Sequence, residues 1–288
     1  MNVHAPATVL PFESVAPDYD QMTVHFDRKR ACAWCYMEAE PRACFSTKLL
    51  NSLLDWTERL KRNAHRLGIK YHVIASNVDG VFNLGGDLDL LRDLALAGDR
   101  DGLMRYGKEC IDALYANLTG FDQDVTTISL IQGEALGGGF ETALSSDVII
   151  AEKGSRMGFP EILFNLFPGM GAYSLLSRKL DPRRAEKLIL SGKLYTAEEL
   201  YDMGVVDILV DEGEGEMAVY DYIKRENRAR NGFRAMRKVR DYCNPVTYKE
   251  LVDIVEIWVD TVLKLDKRDL RMMERLVSRQ TKHGAEAA

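Results

Sequence analysis

The 288-residue sequence predicts an α/β fold on three observations. Short apolar runs, YHVIASN (71–77), TTISLIQG (126–133) and DVIIAEK (147–153), read as buried strands. Between such runs lie segments with apolar residues at helical spacing, most clearly Leu49, Leu50, Leu53, Leu54, Trp56, Leu60 and Leu67. The alternation stops near residue 210, after which the chain reads as charged helix. Strands alternating with helices indicate layered α/β architecture. The expected layout is a flexible leader over 1–18, an α/β core over 19–210 and a helical region over 211–288.

The elements follow in order. MTVHFD (22–27) and ACAWCYM (31–37) pair as strands across a charged RKR turn. A helix spans Ser46 to Leu67, and VDGVFNLGGDL (78–88) reads as a glycine-rich loop. A helical stretch over roughly 87–119 breaks near Gly98, where the chain can turn. GMGAYSLLSRKL (169–180) and RRAEKLIL (183–190) read as helices. In TAEELYDMG (196–204), Thr196 with Glu199 three residues later is a capping box, and Gly204 a stop. VVDILV (205–210) is a last strand.

Bulk properties narrow the function. A net charge of −6 argues against general nucleic-acid binding. No apolar run approaches the ~18 residues of a membrane span, and the N-terminus lacks the basic start of a signal peptide; a cytoplasmic protein is expected. Five cysteines at irregular spacing argue against a disulfide framework. Cys32 and Cys35 form a C-x-x-C, but no second pair completes a zinc site and the segment reads as strand, so buried strand cysteines are expected and no metal. The nucleotide, dinucleotide and α/β-hydrolase glycine signatures are missing, as is any H-x-x-x-H.

Two glycine-rich elements remain, FNLGGDL (82–88) and ALGGGFE (135–141), each placed between a buried strand and a helix. Glycines at such a junction leave backbone N–H groups pointing outward, where the helix dipole adds positive charge. Two facing each other make an oxyanion hole; each alone is also readable as a tight turn. Glu141 follows the triple glycine, and Glu161 lies among Phe159, Ile162, Leu163 and Phe164. Apolar surroundings raise a carboxylate's pKa and suit it to acid–base work, although Glu161 after Pro160 also fits a plain helix entry. Leu251, Ile254, Val255, Trp258, Val262 and Leu265 form an apolar stripe, which fits core or subunit contact. From it Trp258, together with Met170, is a candidate for an apolar ligand slot. Residues 224–240 carry eight basic side chains, which fit either a solvated face or a patch for an acidic partner.

FNLGGDL, IQGEALGGGFETALSSDVIIAEKGSRMGFPEILFNLFPGMGAYSLL and AEKLILSGKLYTAEELYDMGVVDILV together resemble the enoyl-CoA hydratase (crotonase) superfamily from about residue 70 to 210. The resemblance implies a spiral of ββα units, where periodicity alone leaves a doubly wound sheet equally open. It also implies trimers or dimers of trimers formed with the C-terminal helices. It places catalytic glutamates at Glu141 and Glu161 and oxyanion amides at Leu84, beside Gly85, and at Gly138. Gly86, Gly137, Met170 and Trp258 become substrate contacts.

RACFSTKLL, VFNLGGDLDLL, LFPGMGAYS and EIWVDTVLKLDKRDLRMMERLV (256–277) further resemble the diffusible-signal-factor synthases of Gram-negative bacteria, over nearly the whole chain. That resemblance implies dehydration of a 3-hydroxyacyl-acyl-carrier-protein, then hydrolysis of the thioester to a free cis-2-unsaturated fatty acid signal. It implies no cofactor beyond the acyl thioester, an acyl carrier protein as substrate, and a membrane sensor kinase as a partner. The alternatives are a plain hydratase acting on CoA thioesters and a non-catalytic protein that binds a signalling partner.

Overall fold

The computed structural model describes residues 17–286. Of the leader expected over 1–18, all but the last two residues lie outside the described residues. Two antiparallel strands open the structure, β1 (Met22–Asp27) and β2 (Cys32–Met37), in register Met22 opposite Met37. Helix α1 (Thr47–Leu67) follows, capped by the Ser46 side chain accepting from the Leu49 amide and closed by Gly68. Then come β3 (Tyr71–Ser76), β4 (Val81–Asn83), α2 (Leu88–Ala97), α3 (Arg100–Leu118), β5 (Thr126–Ile131), β6 (Glu134–Leu136) and α4 (Gly138–Leu144). They are followed by β7 (Val148–Glu152), β8 (Arg156–Gly158), α5 (Ala172–Lys179), α6 (Pro182–Ser191), β9 (Leu194–Thr196), α7 (Ala197–Asp202) and β10 (Ile208–Val210). Four helices complete the chain: α8 (Gly215–Arg228), α9 (Arg230–Cys243), α10 (Tyr248–Val262) and α11 (Lys267–Glu286).

The strands divide between two sheets. A six-stranded sheet runs β1-β2-β3-β5-β7-β10, parallel except at β1, and a four-stranded sheet runs β4-β6-β8-β9. The repeat is therefore strand into the large sheet, turn, strand into the small sheet, then helix: β3-β4-α2, β5-β6-α4 and β7-β8-α5. This is the expected spiral of ββα units, and it settles the alternative of a doubly wound sheet. The glycine-rich junctions follow the short strands of the small sheet and not the long buried strands. At three residues each, β4, β6, β8 and β9 are too short to show a period, and 81–83 read as loop.

Both faces of the large sheet are covered, so its strands read as unbroken apolar runs. Cys32, Trp34, Tyr71, Val73, Ile128, Leu130 and Ile150 pack toward Val219, Tyr222 and Ile223 of α8. Ala33, Cys35, Ile74, Ile131 and Ile149 face the main core with α1 and α3. Cys32 and Cys35 thus lie on opposite faces of β2, and both are fully buried. The Thr196 capping box forms in both directions, at 3.2 and 2.9 Å, while α7 ends at Asp202, with Met203 as its C-cap and Gly204 one residue beyond. The stripe on α10 is mainly core: Leu251, Val255 and Val262 are fully buried, and only Trp258 of the set lines a cavity. No described helix is long and apolar enough to cross a membrane.

Candidate functional site

The two glycine loops meet at one end of a single apolar cavity. It is lined there by Gly86, Gly138, Glu141, Glu161, Met170 and Trp258, and it extends past Leu50, Leu53 and Leu114.

The first loop is fixed by hydrogen bonds to nearly every amide. Leu84 N–H donates to the Ala43 carbonyl at 2.7 Å. Gly85 N–H donates to Asn83 Oδ1 at 2.8 Å, and the Gly85 carbonyl accepts from Phe45 N–H at 2.8 Å. Asp87 N–H donates to the Tyr106 hydroxyl at 3.0 Å, and that hydroxyl donates to the Phe45 carbonyl at 2.9 Å. Gly86 is left: among the described residues its amide meets no acceptor. The expected placement of an oxyanion amide at Leu84, beside Gly85, is thereby corrected, since both amides are already committed to the protein. The bare amide belongs to Gly86.

The second loop works in the same way. Gly137 N–H donates to the Gly158 carbonyl at 2.9 Å, while Gly138, the first residue of α4, has no protein acceptor among the described residues. Gly137 stands at φ 51° and ψ −121°, a conformation that side-chain-bearing residues rarely adopt, and a Cβ there would strike the Glu161 carboxylate. A Cβ on Gly139 would strike the Asn83 carbonyl. Gly138 differs. A Cβ on it would meet ordinary contacts only, the nearest being Gly85 Cα and Gly86 N at 3.5 Å. The protein leaves space over the two bare amides that its own packing does not demand.

The glutamates complete this end. Glu141 is 2% exposed, and its Oε1 accepts from Met170 N–H at 2.7 Å and Ala172 N–H at 3.0 Å. Burial pushes its pKa up to about 7, against the pull of those two amides. Glu161 enters from the turn after Pro160. The residue is half-buried, but its Oε2 is sealed from solvent and has no hydrogen-bond partner. Burial, then the charge of Glu141, push its pKa up to about 8. Both carboxyls are therefore raised toward neutrality, and the charge of one weighs against ionisation of the other. The structure therefore brings together Glu141, Glu161, Gly86, Gly138, Met170 and Trp258, with Gly85 and Gly137 as their supports and Leu84 withdrawn. Sequence reasoning passed over Asn83 and Tyr106, which hold the first loop; neither carries a local signal, because their partners are distant in sequence.

The basic run over 224–240 is largely consumed by the protein. Arg230 and Arg234 pair with Asp124, Arg237 with Glu226 at 2.5 Å, and Arg240 with Asp147 at 2.8 Å. Half of the eight basic side chains thus clamp the C-terminal helices to the core.

Residues 37–245 match the family model described as enoyl-CoA hydratase/isomerase, and the chain belongs to that family. The fatty acid oxidation complex subunit alpha of Pseudomonas syringae pv. tomato is 29% identical over 194 residues, covering 67% of this chain and 26% of that protein. The chain thus spans about a quarter of the length of that relative. Mevalonyl-coenzyme A hydratase SIDH of Beauveria bassiana is 33% identical over 133 residues, 46% of this chain and 48% of that protein. Among solved structures, Pseudomonas aeruginosa DspI superposes with a TM-score of 0.69 at 26% identity, covering 84% of this chain and 96% of that one. An enoyl-CoA hydratase from Bacillus halodurans shares the fold, with a TM-score of 0.77 at 18% identity over 89% of this chain and all of that one.

Proposed function

We propose that this protein dehydrates a 3-hydroxyacyl thioester and then hydrolyses the enoyl thioester, releasing a free cis-2-unsaturated fatty acid as a signal. The observation that carries the reading is two glutamates, Glu141 and Glu161, lining one end of an apolar cavity beside two bare amides. The resemblance to diffusible-signal-factor synthases over nearly the whole chain, C-terminal segment included, supports this reading within the family.

In the first step one carboxylate removes the α-proton and the other protonates the β-hydroxyl, which leaves as water. The Gly86 and Gly138 amides stabilise the thioester oxygen as charge builds on it. In the second step a carboxylate activates water, which attacks the thioester carbon over the same amides, and the thiol leaves with a proton. Two carboxyls raised toward neutrality suit both steps, because each needs a base and an acid together. Trp258, whose indole rests on the backbone of Gly169, and Met170 wall the acyl chain. An acyl carrier protein is the proposed donor and a sensor kinase a proposed partner. Copies of the chain associate through the C-terminal helices, where Met236, Val239 and Tyr242 of α9 are exposed.

The test is to incubate the protein with 3-hydroxydodecanoyl-acyl-carrier-protein and identify products by mass spectrometry against chromatographic standards. Free cis-2-dodecenoic acid, lost in Glu141→Ala and in Glu161→Ala, is the expected result. An enoyl thioester without free acid would make the protein a plain hydratase. No turnover of this substrate or its CoA ester would favour the binding-protein reading.

A further inference from the structure

Away from the glutamates the cavity is closed by three rings, those of Trp56, His72 and Phe121. Topology puts them there. His72 is the second residue of β3, and Phe121 precedes β5, so both lie at the N-terminal ends of strands whose C-terminal ends lead toward the two glycine loops. Helix α3 gives the distance. Tyr106 holds the Asp87 amide beside Gly86, and Asn117 lies about three turns further along the helix, or about 16 Å. An extended alkyl chain advances about 1.3 Å per C–C bond, so about a dozen carbons span that length.

Two of the rings are pinned by hydrogen bonds. Trp56 Nε1 donates to His72 Nε2 at 3.1 Å. His72 and the Asn117 amide answer each other, and Asn117 Nδ2 donates to Ser145 Oγ at 2.9 Å and Ser146 Oγ at 3.0 Å. Phe121 is placed by other means. Its buried ring stands edge-on to His72, with centroids 4.8 Å apart and planes at 79°. Its backbone is left-handed, at φ 60° and ψ 30°, between Gly120 at φ 58° and Asp122 at φ 55°. That conformation is unfavourable for a bulky side chain. A turn that only joined α3 to β5 would be better served at 121 by glycine or asparagine. The phenyl ring is therefore kept for its place in the cavity. An end wall that is hydrogen-bonded and close-packed does not yield to an added methylene.

We propose that Phe121, seated against the His72–Trp56 pair, is the length gauge of the acyl slot and stops a chain of about twelve carbons counted from the thioester carbon. The gauge rests on the reading of this cavity as an acyl slot, but its test needs no turnover.

Calorimetric titration of the full chain with plain saturated fatty acids of graded length reads the gauge directly. In wild type each added carbon should tighten binding about fourfold until the chain meets the ring, after which affinity should fall by about tenfold. Phe121→Gly suits the left-handed backbone. It should leave short acids and the gain per carbon unchanged, and move the break to acids longer by about two carbons or more. Phe121→Leu keeps an apolar side chain; it should shift the break less in the same direction, and stands in if Phe121→Gly does not fold. A break at the wild-type length in a folded variant, or no break in wild type, would overturn the gauge and leave the acyl slot in place. Binding of no acid at any length by wild type would overturn the acyl slot, and the gauge with it.

Discussion

At the Gly86–Gly138 end of the cavity the bare polar atoms are two backbone amides and a carboxylate oxygen; at the Trp56–Phe121 end the polar groups, the His72 imidazole and the Asn117 amide, answer each other. The stretch between is apolar, with Leu50, Leu53 and Leu114. The difference lies in how each end is built. The amides are donors that no side-chain exchange removes, and they are aimed by the hydrogen bonds that commit Leu84, Gly85, Asp87 and Gly137 elsewhere. The inner pair is made of side chains and can be tuned one residue at a time. A fixed end suits a reaction common to many substrates, and a tunable end suits the choice among them.

The largest break in the comparison is at the glutamates. Glu161→Gln should lower dehydration by about 100- to 10,000-fold in steady-state kinetics while leaving fatty-acid binding within a few-fold of wild type. Equal losses of both would mean that the two ends do not divide reaction from recognition. Next in size is Gly138→Ala. Because a Cβ there meets no clash inside the protein, the variant should fold with an unchanged Tm. It should still lose about 100-fold in kcat, because the methyl occupies the place of the thioester oxygen. A Gly138→Ala enzyme of normal activity would remove Gly138 from the oxyanion site.

The raised carboxyls extend the contrast to pH. With the pair at about 7 and about 8, the singly protonated form peaks between those values, so the rate should trace a bell there. His72, lowered to about 4, stays neutral throughout this range. Stability follows with a definite sign. Glu161 is raised from an ordinary 4.5, so the folded protein holds a proton that the unfolded chain has released, and stability falls as pH rises from about 4.5 to about 8. Glu161→Gln removes that loss: thermal melts should show a Tm about 5 °C above wild type above pH 8, and no difference below pH 4.5. The smallest effect lies outside the cavity. Thr196→Ala deletes the α7 cap and should cost about 1 kcal/mol, with kcat and binding unchanged.

What the sequence made legible follows from the range of each interaction. The long strands, α1 and the Thr196 cap rest on local periodicity or on partners three residues apart, and the structure has them where the pattern places them. The small sheet escaped, because three-residue strands carry no period and are defined by neighbours such as Val81 against Glu134. Glu141 and Glu161 stood out because carboxylates beside glycines and phenylalanines are locally unusual. The bare amide of Gly86 did not, because it depends on which other amides find acceptors, and those acceptors include Ala43 and Tyr106. His72 and Asn117 lie on a strand and at a helix end, far apart in sequence, and only the fold brings them into one chamber. The basic run over 224–240 was plain to see, but its ion partners Asp124 and Asp147 were not.

On the proposed mechanism one end of one cavity carries out both dehydration and hydrolysis, with water as the direct nucleophile. The decisive experiment is a single turnover of 3-hydroxydodecanoyl-acyl-carrier-protein in water enriched in heavy oxygen. The expected result is free cis-2-dodecenoic acid carrying one solvent oxygen in its carboxyl group, with no label in Glu141 or Glu161. Release of an enoyl thioester with no acid, or label in either glutamate after that single turnover, would contradict that mechanism.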